Sequence, residues 1–145
     1  MVAPPCALAA SARDPICAPL RAFASSVAPG QTQTVEFHTV WGGDFKSVAA
    51  RSLYAKRCMD HGYQPATALC SSLMQHGAIE FSGNNAKRAV ACLSPSTRFA
   101  SPMRPGGLSV SFAFGTPDRG SNITVLYRAA TKMRGMVTVI TAVGY

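Results

Sequence analysis

Charge is scarce in this chain. Only 14% of its 145 residues are Asp, Glu, Lys or Arg, against roughly a quarter in an average domain. Six of them are acidic. Asp14 and Asp44 sit where helix caps are expected and Asp118 in a turn, so a glycosidase-type acid pair has only Glu36, Asp60 and Glu80 to draw on. No apolar run reaches the length of about 18 residues that a membrane-spanning helix needs. Ser-centred nucleophile elbows, phosphate-binding P-loops and dinucleotide fingerprints are missing. Aromatic residues make up 8% of the chain and are not interleaved with the basic ones, which argues against a dedicated nucleic-acid module built on stacking. Internal repeats and composition-shifted linkers are also lacking, so residues 13–145 are expected to form a single domain.

What is present is apolar and basic. Hydrophobic residues account for 48% of the sequence, enough for a domain of this length to bury on the order of two thirds of its unfolded surface. Fourteen Lys and Arg against six Asp and Glu give a formal charge of +8. That favours encounters with phosphates, anionic lipid or polyanionic cell-wall material, so the expected partner is another protein or an anionic envelope component.

The first twelve residues and the cysteines bear on compartment. Val2 to Ala12, "VAPPCALAASA", is small, apolar and uncharged, and it ends in Ala10-Ser11-Ala12 before Arg13. This is the small-x-small pattern of a signal-peptidase site, so residues 1–12 read as the remnant of an export signal, or else as a disordered tail. Of five cysteines, Cys6 lies in that segment, leaving Cys17, Cys58, Cys70 and Cys92 as an even set for two disulfides. Periplasmic or secreted residence follows as the expectation.

Periodicity gives an alternation of elements. Asp14-Pro15 starts a helix that carries Ile16, Leu20 and Phe23 to about Ser26, and "QTQTVEFHTVW" alternates as a half-buried strand. Asp44 caps a predicted helix with Phe45, Val48 and Leu53 on one face, running to about Asp60 and stopping at Gly62. Pro65 opens a second helix that Gly77 closes, which makes residues 44–76 a helical hairpin. A short strand in "AIEFSG", a helix in "NNAKRAVACLSP" capped by Asn85, and a long loop over 94–107 follow. Three strands end the chain as a meander, with turns at Pro117 to Gly120 and Arg134-Gly135. The predicted class is α+β, with N-terminal helices packed on a mainly antiparallel sheet.

The densest chemistry lies between Lys56 and Phe81. Cys58, His61, Cys70 and His76 are metal-capable, but they lack paired C-x-x-C or H-x-x-x-H knuckles, so no metal and no cofactor is expected. Cys58 and Cys70 fall at similar heights in the predicted hairpin, and this pairing is favoured among the three that four cysteines allow. A rival pairs Cys17 with one of them and leaves the remainder to Cys92.

Two functional classes compete. A metal-free, ribonuclease-like or cell-wall hydrolase would use His38 with His61 or His76 as base and acid and Lys56 or Lys87 for charge stabilisation. A binding protein, of the inhibitor, immunity or envelope-accessory kind, would instead use Trp41, Arg98, Arg104, Arg119 and Arg134, with Lys87 and Arg88 at a helix start able to receive an anion. With His61 and His76 both beside helix-stopping glycines, where a cationic end residue suits the dipole, the non-enzymatic reading leads.

Overall fold

The computed structural model describes residues 13–41, 54–98, 107–132 and 134–145. The expected export-signal remnant at 1–12, the helix start at Asp44, the Trp41 side chain and Arg104 lie outside the described residues.

The first helix, α1 (Cys17–Ser26), begins where the Asp14 carboxylate accepts the Ile16 N–H at 3.1 Å. It buries Cys17, Leu20, Phe23 and Ala24, which recur at helical spacing along one side. Strand β1 (Thr32–Trp41) follows and sends Val35 and Phe37 into the same core. Helix α2 (Gln64–His76) has Pro in its first turn and buries Ala66, Leu69, Cys70 and Leu73. Helix α3 (Gly83–Leu93) buries Ala86, Ala89, Val90, Cys92 and Leu93.

Strand β2 (Tyr54–Met59) replaces the end of the predicted helix. Its residues pair antiparallel with β1, Phe37 opposite Cys58 and His38 opposite Arg57. Tyr54, Lys56 and Cys58 alternate with Ala55, Arg57 and Met59, and β1 supplies the backbone partners that a helix would have found internally. The helical hairpin is therefore a strand-turn-helix unit, reversed at Asp60, whose carboxylate accepts the Gly62 N–H at 2.9 Å. The strand expected in "AIEFSG" is absent as well. Residues 78–82 form a turn with Phe81 at φ 53°, and the buried Asn85 amide satisfies Ala78 from both sides, Ala78 N–H to Oδ1 at 2.8 Å and Nδ2 to Ala78 O at 2.7 Å. Asn85 thus acts from inside α3 and not as its cap.

The C-terminal meander forms as expected: β3 (Leu108–Gly115), β4 (Gly120–Ala129) and β5 (Met136–Gly144). The sheet is antiparallel with order β2-β1-β5-β4-β3, so β1 is inserted beside the last strand. All three helices contribute to one core with Val35, Phe37, Ile123, Val125, Ile140 and Ala142. Strand alternation turns Glu36, His38, Thr124, Leu126, Arg128, Val137, Val139 and Thr141 to the face away from the helices. This is the α+β class.

Two disulfides staple the helical layer. Cys17–Cys92 joins α1 to α3 with Cα atoms 5.1 Å apart, and Cys58–Cys70 joins β2 to α2 at 5.5 Å. The favoured pairing forms, but between a strand and a helix. Disulfides of this kind persist in oxidising, extracytoplasmic environments.

Candidate functional site

The three histidines separate by face. His38 lies on β1 on the face away from the helices, in a row that reads Arg57, His38, Val137, Arg128 across β2, β1, β5 and β4. His61, in the turn after β2, sets its Nε2 3.5 Å from Glu36 Oε2, and Glu36 is on the same strand and face as His38. Strand geometry therefore brings His38, Glu36, His61, Arg57 and Arg128 onto one side. His76 ends α2 on the helical side of the sheet and does not join them.

The row does not present its imidazole. His38 is 8% exposed, and neither ring nitrogen has a hydrogen-bond partner among the described residues. Burial pushes its pKa below the ordinary histidine value; the Glu36 carboxylate opposes this, and the Arg57 and Arg128 cations reinforce it. A neutral, enclosed imidazole cannot exchange a proton with a substrate in this conformation. His61 is the exposed member of this group, and the β4–β5 hairpin carries two further exposed cations, Lys132 and Arg134.

Several cations flagged by the sequence are structural. Lys56 Nζ donates to Met74 O at 3.1 Å and Arg88 Nη1 to His76 O at 2.9 Å, so two cations from other elements cap the carbonyl end of α2. Burial, with Arg88 nearby, lowers the Lys56 pKa. Arg88 also grips Asp14 with two bonds, Nε to Oδ2 at 2.7 Å and Nη2 to Oδ1 at 2.8 Å. These bonds hold Asp14 below the usual carboxylate range against the opposing effect of burial, and they raise Arg88. Arg119 Nη2 donates to Val27 O at 2.9 Å and its Nη1 to Gly120 O at 3.2 Å, tying the β3–β4 turn to the end of α1. Lys87 is partly buried on α3, whereas Arg98 is exposed beyond it.

Among the described residues the cysteines are bonded in pairs, Cys58 to Cys70 and Cys17 to Cys92, and offer neither a nucleophile nor a metal ligand. No group of three or more His, Cys, Asp or Glu is arranged to hold a metal among the described residues. Nor is any described helix long and apolar enough to cross a membrane. Arg57 and Arg128 are the members of the row that residue-type scanning passes over. Their signal is positional, because each falls on the face opposite to a core-facing neighbour, Cys58 and Tyr127 respectively.

No protein-family model, curated protein or solved structure matches this chain.

Proposed function

We propose that this is a small exported protein, periplasmic or secreted, that acts by binding another protein and not by catalysis. Its most concrete form is an inhibitor or immunity-type protein for a hydrolase or toxin with an acidic surface. The observation that carries the reading is a set of cations near one another in the fold: Arg57 and Arg128 share one cross-strand row, and the hairpin that follows the strand of Arg128 carries exposed Lys132 and Arg134. Arginine forks match carboxylates two at a time, and a cationic patch on a chain of charge +8 steers acidic partners. Export is supported by the two disulfides and by the small-x-small end of the first twelve residues.

Affinity capture from the native envelope fraction, repeated with an Arg128→Glu/Arg134→Glu variant, tests the reading. Loss of at least tenfold in affinity, together with weakening as salt rises, is the expected result; a partner held equally by the variant overturns it. Mass spectrometry of exported material should find a chain starting at Arg13 with no alkylatable thiol before reduction.

One observation favours the hydrolase alternative: Glu36 contacts His61 and neighbours His38. Purified protein incubated with RNA and with peptidoglycan decides it. Cleavage that disappears in both Glu36→Gln and His61→Ala would replace the binding reading.

A further inference from the structure

We propose that the outer edge of β3 docks a second copy of this chain, its own β3 running antiparallel across a two-fold axis at Ser111. The inference goes beyond the binding reading above and is independent of any other partner.

Backbone direction comes first. Gly120 exchanges both of its main-chain bonds with Tyr145, donating its N–H at 3.4 Å and accepting the Tyr145 N–H at 2.9 Å, so Gly120 faces the β5 side. Alternation then turns Ser121, Ile123, Val125 and Tyr127 toward β3, where they stand opposite Phe114, Phe112, Val110 and Leu108. The Thr116 N–H to Arg119 O bond, 3.0 Å, has the same parity. It follows that the N–H and C=O groups of Ser109, Ser111 and Ala113 point out from the edge. Among the described residues β3 pairs only with β4.

The two edges of the sheet differ. β2 carries Lys56 and Arg57 and is pinned by the Cys58–Cys70 bridge, which guards it against strand addition. β3, "LSVSFAFG", has no charge and no proline over eight residues. Its side chains facing the helical layer, Leu108, Val110, Phe112 and Phe114, are only partly buried, whereas Ile123 and Val125 beside them on β4 are fully buried. The core layer therefore runs out at this edge with apolar surface still showing.

Self-pairing completes both features at once. With the axis at Ser111, the outward groups of Ser109, Ser111 and Ala113 meet those of Ala113, Ser111 and Ser109 in the second copy. Val110 then lies opposite Phe112 and Leu108 opposite Phe114, all in the helical layer, so the apolar row continues across the axis. A slip of one residue would set Ser and Ala against that row and turn the bonding groups away. Each chain offers one such edge, so the contact closes as a dimer.

Sedimentation velocity on the disulfide-intact chain over rising concentration is the test. The mass should climb from 15.2 kDa to twice that and stop, while amide exchange at Ser109, Ser111 and Ala113 slows in step. Ser111→Lys sets like charges across the axis, and Ser111→Pro removes an outward N–H without touching the ladder to β4. Both should raise the dimer dissociation constant at least tenfold. Asn122→Lys, the same charge at an exposed site on inner strand β4, should leave it unchanged. A monomer throughout, assembly beyond a dimer, or a dimer that survives Ser111→Lys would overturn the proposal. Circular dichroism checks that each variant folds, and if Ser111→Pro does not, Ser111→Lys and the exchange data decide. Failure to capture an envelope partner would leave this result standing, and a strict monomer would leave the binding reading standing.

Discussion

Replacing Arg88 with Met should cost this protein about 2 to 4 kcal/mol, because one guanidinium ties together three parts of the helical layer. It makes two bonds to Asp14 ahead of α1, at 2.7 and 2.8 Å, and one to the last carbonyl of α2 at 2.9 Å. Each charge-assisted bond contributes roughly 1.5 to 3 kcal/mol when well buried. Here the Arg and Asp side chains are 25% and 17% exposed, so solvent screening removes about half of that. Methionine keeps most of the aliphatic stem, which confines the loss to the charged head. Near 150 residues each kcal/mol is about 2 to 4 °C in Tm, so melting should fall by about 4 to 16 °C. Asp14→Asn should cost about 1 to 2 kcal/mol, and the double variant should recover about 1 to 2 kcal/mol relative to the sum of the singles. The pH sign follows from Asp14, whose folded pKa lies below the ordinary 3.8. The pair's contribution is present above that ordinary value and is lost as pH falls through the lowered folded one. Urea denaturation followed by circular dichroism at pH 7, 5 and 3 measures all of this. A change below about 0.5 kcal/mol in Arg88→Met, or strict additivity in the double variant, would refute the argument.

Three further outcomes are expected. In the chain-entropy relation, removing Cys58–Cys70, separated by 12 residues, costs about 2.8 kcal/mol, and removing Cys17–Cys92, separated by 75, about 4.5 kcal/mol; paired Cys→Ser variants compared by urea titration should keep that order. Gly77→Ala would set a methyl 2.6 Å from the Phe37 ring and 2.5 Å from Leu73 O, destabilising by roughly 1 to 3 kcal/mol through overpacking, read as a lower urea midpoint with an unchanged slope. Wild-type stability should decline as pH falls below about 6.5, by at most about 1.4 kcal/mol per pH unit, because the unfolded chain takes up a proton that buried His38 refuses. His38→Leu should flatten this decline in the same titration.

The sequence announces its elements wherever the deciding force is local. α1, β1, α2, α3 and the meander follow apolar spacing and the Pro and Gly stops, whereas the Cys58–Cys70 pairing is favoured on a helical hairpin of which one arm is in fact β2. β2 was illegible because Ala55, Lys56, Arg57 and Met59 are good helix formers; only pairing with Glu36 to Trp41, a tertiary event, makes them a strand. Asn85 reads as a cap for the same reason, since its true partner, Ala78, lies outside the helix. In the candidate site, His38 and His61 can be found by residue type, but their shared neighbour Glu36 and the flanking Arg57 and Arg128 emerge only once the register is known.

The strand order also sets when folding can finish. β1 is hydrogen-bonded to β5, so residues 32–41 wait for a partner that begins at residue 136. A nascent chain emerging from the ribosome has its helices and its first hairpin long before it can close the sheet, and such non-local pairing is slow. Until that nine-residue strand arrives, β1 has only β2 beside it. Closing the sheet is therefore a late step that waits for β5, however early the helices and the first hairpin form.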